Sequence, residues 1–392
     1  MMNSSQSCSR RFDDGGTLII LCGGASAEHD VSLASARSVL AAIDAVRRVR
    51  PQVITRDGRL LDEGESRDLL GLDRRTGAVA ASAQNDRSRR PPAGLEGLLV
   101  GPDDVVFPLL HGPFGEDGSI QGMLRLRRVA HVGSGVLASA VGMDKLTMKA
   151  VFAAHDLPQV PYRGLDWHSY RRDPDAAIAS LQGLGLPAFV KPANLGSSLG
   201  IDRASDSASL RAALEGAFRY DHRVIVEAAV QRTRELEVAV LGNHQPELSP
   251  VGEIRYRTAF YDYASKYEPG GAELLIPAPV PERIATQATA LARRAFAAID
   301  GAGLARVDLF YDERRDRLLV NEINTMPGFT ATSMYPRLWA AAGLAYDALI
   351  ERLVALAREH AHEQARERAH EQHAPAGASA SARRGEIAGV RA

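Results

Sequence analysis

Two acidic side chains, Asp308 and Glu322, are the residues whose spacing most directly suggests chemistry. They fall within residues 304–311 and 317–324, two alternating stretches divided by a charge-rich turn, the pattern of a β-hairpin. Symmetric pairing about that turn sets Asp308 opposite Glu322, on a face shared with Arg306 and Asn324. Val307, Leu309, Leu319 and Ile323 take the other face and require a core. Carboxylates directly across an antiparallel pair have Cβ atoms only about 5 Å apart and repel one another, so a cation belongs between them. Two carboxylates and an amide oxygen form a hard, all-oxygen set suited to Mg²⁺, which completes its shell with water and phosphate oxygens. The plain alternative is an exposed hairpin that merely solvates its charges; Asn324 and the turn Thr325-Met326-Pro327-Gly328 favour a site.

A lysine closes another strand. Ala188-Phe189-Val190-Lys191 is stopped by Pro192, and Ala193 to Gly200 then reads ANLGSSLG. Small residues let successive backbone N–H groups and the hydroxyls of Ser197 and Ser198 face an anion, with Lys191 as a point charge beside them. The loop also contains G-x-S-x-G from Gly196 to Gly200, but a nucleophile elbow runs straight into a helix. Here Gly200-Ile201-Asp202 resumes extended structure, and the next helical pattern starts near Ser207. A phosphate cover is the better reading, against that of a surface turn beside a snorkelling lysine; no G-x-x-x-x-G-K-[ST] motif occurs. Phe260 to Tyr267, FYDYASKY, continues into EPGG and is too long for a tight turn. It reads as a lid, or else as an aromatic loop packed on its own domain.

These groups need elements to carry them. Thr17 to Cys22 is an apolar strand, followed by a glycine turn ending at Glu28 and a helix burying Leu33, Ala36, Leu40 and Ile43. That is the opening of an α/β unit, with Glu28 at the ligand-binding end of the strand. Residues 56–97 show little periodicity and read as loop with a short strand. Val105 to Leu110 is a buried strand running into the tight loop His111 to Gly118, with a helix from about Ser119, the expected N-cap. Gly133 to Ala138 matches a dinucleotide fingerprint but comes late in its domain, and a long helical stretch through Met143-Asp144-Lys145 follows it. Strands over 223–227 and 235–241 carry Glu227, Glu235 and Glu237. A helix over 281–299, with Ile284, Ala288, Leu291 and Ala295 inward, delivers the chain to the hairpin. Leu349, Leu353 and Leu356 mark a further helix; from about residue 358 a charged helical extension passes into an Ala/Gly/Ser/Arg-rich tail whose histidines read as solvated.

The chain has 392 residues, 45% hydrophobic and 24% charged, which is enough for two or three domains. A net charge of −1 argues against broad nucleic-acid or acidic-membrane binding. No apolar run approaches the roughly 20 residues of a membrane span, and the first sixteen residues carry no apolar segment of signal-peptide type. With only Cys8 and Cys22, no disulfide framework is expected, and a cytoplasmic location is.

Five blocks in order resemble the D-alanine:D-alanine ligases of the ATP-grasp superfamily: GGASAEHDVSLAS from Gly23, HGPFGEDGSIQGML from His111, GSGVLASAVGMDK from Gly133, VKPANLGSSLGI from Val190, and FYDYASKY together with NEINTMPGFTATSMYP. Any one is weak, whereas five in the right order are specific. The resemblance implies an α/β protein: a tail over 1–16, a Rossmann-like substrate domain over 17–138, a small ATP-grasp lobe over 139–230, a large lobe over 231–357 and a charged tail over 358–392. It implies that ATP phosphorylates one D-alanine and that the amine of a second displaces the phosphate, a step in peptidoglycan precursor synthesis. It gives Lys145 and Lys191 the nucleotide phosphates, Ser197 and Ser198 the covering loop, and Glu227 and Glu235 the adenosine, Glu235 at the ribose. Asp308, Glu322 and Asn324 would hold two Mg²⁺ ions, with Mn²⁺ as a substitute. Glu28 would receive the first ammonium, with His111 beside it; Arg306 and the Gly328 N–H would hold the oxyanion. Lys266 and Ser333 would take the second carboxylate, and Tyr267, bonded towards Ser197 and Glu28, would close the lid. Members that make D-alanyl-D-lactate lack tyrosine at that lid position, so Tyr267 favours an amine. Two departures are Ala228, where many relatives carry an adenine-contacting lysine, and Leu195, polar or acidic in some. A homodimer is implied as well. Rival readings are an ATP-grasp ligase joining other amino acids in a secondary-metabolite pathway and an inactive ATP-binding regulator. Intact Glu28, Tyr267 and Ser333 count against the first, and intact Arg306, Asp308, Glu322 and Asn324 against the second.

Overall fold

The computed structural model describes residues 16–43, 48–72, 94, 97–98, 100–196, 199–230, 232–256 and 272–373, with backbone alone for 367–373. The first domain is a parallel sheet in the order β2-β1-β3-β4, formed by β1 (Leu18–Gly23), β2 (Val49–Ile54), β3 (Val105–Leu109) and β4 (Ala130–His131). Helices α1 (His29–Ala42), α2 (Glu63–Leu70) and α3 (Ser119–Leu126) connect the strands. Every residue of β1 is buried, as a central parallel strand with both faces covered requires. Its end is clamped at Gly23, where φ is +91° and a Cβ would lie 2.1 Å from the Ile54 carbonyl oxygen, so only glycine fits. Cys22 is core, and burial pushes its thiol up to about 12.

Helices α4 (Val136–Met143) and α5 (Lys145–Ala154) lead into a second, antiparallel sheet in the order β5-β8-β6-β7. Its strands are β5 (Tyr162–Asp166), β6 (Ala188–Pro192), β7 (Asp202–Ala204) and β8 (Arg223–Ala228), backed by α6 (Trp167–Arg172), α7 (Pro174–Ala179) and α8 (Ser207–Ala217). The third sheet runs β12-β11-β9-β13-β14, with β10 paired to β9. It comprises β9 (Thr233–Leu241), β10 (Glu247–Leu248), β11 (Gly252–Tyr256), β12 (Ala272–Leu275), β13 (Leu304–Asp312) and β14 (Arg317–Asn324). Helices α9 (Glu282–Ala298), α10 (Met334–Ala341) and α11 (Tyr346–His373) complete the chain.

The large sheet has two unlike faces. Leu236, Val238, Val240, Ala305, Val307 and Leu309 share a core with Ile284, Ala288, Ala292 and Ala295 of α9. At one end of the opposite face, Ala239, Leu241 and Leu304 join a core containing Ile20, Cys22 and Phe107 of the first sheet and Leu349 and Leu353 of α11. The first domain is thereby seated on the large sheet, and α11 lies against β3, β4 and α1. Among the described residues no helix is long and apolar enough to cross a membrane.

The hairpin forms with Asp308 opposite Glu322, but its pairing is not symmetric. The register shifts after Asp308, so that Leu309 faces Val320, and the extra residue in β14 turns Leu318 and Val320, not Leu319, into the α9 core. A bulge of this kind reverses which side chains face inward. Three further expectations are corrected. Residues 63–70 form α2, set by a reciprocal capping box between Asp62 and Glu65, and a strand precedes it at 49–54. The helical stretch through Met143 is two helices, because Asp144 is extended and caps α5 by accepting from the Thr147 N–H. Gly118 is the N-cap of α3, with Ser119 as its first helical residue.

Candidate active site

The ligand-facing end of the first sheet gathers Glu28, Ser26 and His111. Glu28 is the N-cap of α1 and largely buried. Ser26 Oγ donates to the His111 carbonyl oxygen at 2.6 Å and accepts from the Glu28 N–H at 3.2 Å, tying the two loops together. His111 Nδ1 lies 3.1 Å from the Met326 carbonyl oxygen, which places the ring proton on Nδ1. Burial pushes this imidazole below its ordinary range, with the Glu28 charge opposing. Glu116, from the same loop, accepts from the Gly112 N–H at 2.7 Å. Burial, then the charge of Glu28, pushes its carboxyl up to about 8.

The loop after β6 reaches this pocket. A Cβ on Gly196 would lie 2.9 Å from Glu28 Oε2, as would one on Gly112, so the carboxylate sits in a cradle of two glycines. Lys145 donates from Nζ to the Leu195 carbonyl oxygen, and its own N–H donates to the Ala193 carbonyl oxygen at 3.0 Å. Burial holds the Lys145 ammonium below its ordinary range, partly offset by Glu322, while neighbouring Lys191 lowers it further. Lys191 pairs with Glu227 at 2.6 Å. Burial acts against its charge, but Glu227 and Glu322 outweigh it and hold the pKa above the ordinary value.

Opposite the lysines lies the acidic end of the large sheet. Glu237, Asp308 and Glu322 stand in register across β9, β13 and β14, a row of three carboxylates. Arg306 answers them: Nε is 2.6 Å from Asp308 Oδ1 and 3.0 Å from Glu237 Oε2, and Nη2 is 2.7 Å from Asp308 Oδ2. Burial disfavours its charge, yet Asp308 and Glu237 raise its pKa well above the usual arginine value. Asn324 Nδ2 donates to Asp308 Oδ2 at 3.1 Å, which directs its amide nitrogen to the acid. Glu235 pairs across β13 with Phe310 and across β11 with Ile254, and its charge reaches both Lys191 and Tyr256.

The turn after β14 joins the two ends. Ser35 Oγ lies 3.5 Å from His111 Nε2 and accepts from the Phe329 N–H at 3.4 Å. A Cβ on Gly328 would lie 3.4 Å from Ser333 Oγ, which accepts from the Thr330 N–H at 3.1 Å. Twelve of the sixteen residues singled out from the sequence lie among the described residues, and the charges of Lys145 and Lys191 reach Glu322, whose strand pairs it with Asp308 and also carries Asn324. The remaining four, Ser197, Ser198, Lys266 and Tyr267, and with them the lid, lie outside the described residues. Sequence reasoning gave no role to Glu237, Glu116 or Lys149. Glu237 was detectable, two residues from Glu235 on an alternating strand; Glu116 is distinguished only by its tertiary surroundings, the Glu28 charge among them. The glycine turn after β4 is occupied by protein, since a Cβ on Gly303 would lie 3.0 Å from the Gly133 nitrogen.

The donor set suits a hard cation: two carboxylates and an amide oxygen, with two lysines nearby. Among the described residues no three His, Cys, Asp or Glu side chains gather into a metal cluster. A cation at Asp308 and Glu322 would thus take its other oxygens from Asn324, water and phosphate.

Two α+β lobes closing on one cleft, lysines on one and carboxylates on the other, beside a parallel-sheet domain that supplies a further acid, define a ligase of the ATP-grasp class. Solved structures agree. The D-alanine-D-alanine ligase from Coxiella burnetii superposes with a TM-score of 0.75 at 33% identity, over 91% of this chain and 98% of that one. The VanG D-Ala:D-Ser ligase from Enterococcus faecalis gives 0.71 at 29%, over 87% and 99%. Family models described as D-ala D-ala ligase N-terminus and C-terminus match residues 17–134 and 151–355. The D-alanine--D-alanine ligases of Deinococcus radiodurans and Bacillus velezensis are 49% and 46% identical, each over 87% of this chain and 98% of its own length. The chain belongs to the D-alanine–D-alanine ligase family.

Proposed function

We propose that the cleft joins two D-alanines through a D-alanyl phosphate, with ATP as phosphoryl donor, for peptidoglycan precursor synthesis. The observation that carries this is the meeting of three charged groups from separate domains: Glu28, the Lys145–Lys191 pair, and the Asp308–Glu322 row. A carboxylate is a poor electrophile, so a leaving group must be installed on it. A carboxylate oxygen of the first D-alanine attacks the γ-phosphorus and ADP departs. The amine of the second, having lost a proton, attacks the acyl carbon, and inorganic phosphate leaves with the original carboxylate oxygen.

In this reading Lys145 and Lys191 hold phosphates, because phosphoryl transfer is catalysed by positioning and charge neutralisation. Glu227 and Glu235 face adenosine, and Ser197 and Ser198 cover the phosphates. Asp308, Glu322 and Asn324 hold two Mg²⁺ ions, or Mn²⁺, which when bound neutralise phosphate charge. Glu28 holds the first ammonium beside His111. Arg306 and the Gly328 N–H stabilise the tetrahedral oxyanion, Lys266 and Ser333 take the second carboxylate, and Tyr267 closes the site. The cytoplasm supplies the substrates, and the working unit is a homodimer, which sedimentation can test.

Purified protein given ATP, Mg²⁺ and D-alanine is expected to release phosphate and form D-alanyl-D-alanine, with L-alanine inactive. Phosphate release indifferent to D-alanine would refute the substrate assignment.

A further inference from the structure

Glu227 is shared by two lysines that differ in one respect. Lys149 Nζ lies 2.9 Å from Oε1 and Lys191 Nζ 2.6 Å from Oε2, but the Lys149 side chain is 1% exposed and that of Lys191 11%. Lys191 ends β6 at the cleft. Lys149 stands one turn beyond Lys145 on α5, over the Tyr162 ring at 5.5 Å from its centroid, with its carbonyl oxygen held by Gln159 Nε2 at 3.0 Å. Sealed behind Glu227, it has no path to a phosphate.

The asymmetry has a consequence in charge. One buried carboxylate faces two ammonium groups, so the more accessible one can be exchanged when a polyphosphate enters. Were Lys191 the only partner, its departure would strand a buried anion, and breaking a buried pair in that way is strongly destabilising. Phosphate and Glu227 would then compete for a single lysine. With Lys149 in place, Glu227 stays compensated throughout. Burial alone would raise the pKa of this carboxyl, yet Lys149 and Lys191 bring it down to about 2.

We propose that Lys149 is a positioning residue that keeps Glu227 paired and fixed while Lys191 exchanges Glu227 for a nucleotide phosphate. This rests on the reading of the cleft as a nucleotide site. ADP with Mg²⁺ is the probe, its binding followed by calorimetry on the full chain. Lys149→Met should weaken ADP binding by about tenfold or more, because Lys191 is then retained by Glu227, whereas Lys149→Arg should stay within about threefold of wild type. ADP affinity unchanged in Lys149→Met, whatever happens to its melting temperature, would overturn the proposal. Wild-type protein that binds no ADP would instead refute the cleft reading itself. A wild-type crystal grown with ADP and Mg²⁺ answers the same question without a variant: Lys191 Nζ on a phosphate oxygen with Lys149 still on Glu227 supports the exchange, and Lys191 still paired with Glu227 contradicts it.

Discussion

Arg306 grips both oxygens of Asp308, Nε at 2.6 Å from Oδ1 and Nη2 at 2.7 Å from Oδ2, while its Nε also reaches Glu237 Oε2 at 3.0 Å. The guanidinium faces a row of three acids, Glu237, Asp308 and Glu322. Like charges directly across strands repel, and the row is offset by Arg306 and, at Glu322, also by Lys145 and Lys191.

Glu322→Gln removes one carboxylate of the row without changing shape. Turnover should fall by about 100-fold or more, because a cation ligand is lost, while the melting temperature falls, because buried Lys145, Lys191 and Arg306 lose a compensating charge. Asp308→Asn should lose comparable activity. Steady-state kinetics beside calorimetric melting decides both; near-normal turnover contradicts the cation assignment, and an unchanged or raised melting temperature for Glu322→Gln contradicts the compensation.

Gly196→Ala tests the cradle around Glu28. The added Cβ would meet Glu28 Oε2 at 2.9 Å, the mobile end of a side chain, so the carboxylate yields at little cost to folding. The KM for the first D-alanine should rise by about tenfold, the equivalent of 1.4 kcal/mol of misplaced contact, with the melting temperature little changed. An unaltered KM would show that Glu28 does not receive that substrate.

Glu116 supplies a pH signature. Burial and the Glu28 charge raise its carboxyl from an ordinary 4.5 to about 8. Between those values the folded protein holds a proton that the unfolded chain releases, so this group makes stability fall as pH rises from about 4.5 to about 8 and then level off. Glu116→Gln, which retains an acceptor for the Gly112 N–H, should flatten that fall. Urea unfolding of both proteins at pH 5.5 and 8 measures it, and parallel pH profiles would rule it out.

The hairpin at 304–324 was legible because two strand-like stretches flank a short polar turn, and the pairing of Asp308 with Glu322 followed from counting back from that turn. The bulge did not follow, because one extra residue in β14 leaves the hydrophobic alternation readable in either phase; Leu318, Leu319 and Val320 are all apolar and all buried. Helix α2 was overlooked although its signal was present, Asp62 three residues ahead of Glu65 before Leu69 and Leu70. Strand β2 was hidden by its own residues, Arg50, Pro51 and Gln52 among them, whose pairing with β1 is a long-range matter. Of the site residues that sequence missed, Glu116 and Lys149 take their character from partners far away in the chain, which local pattern does not carry.

The most direct measurement of the chemistry follows one oxygen atom. D-alanine labelled with ¹⁸O in its carboxylate is supplied with ATP and Mg²⁺, and the products are read by phosphorus NMR and mass spectrometry. Attack of that carboxylate on the γ-phosphorus, followed by displacement by the second amine, must leave ¹⁸O in inorganic phosphate and none in ADP. Dipeptide formed with unlabelled phosphate, or with label in AMP, would contradict an acyl phosphate made in this cleft.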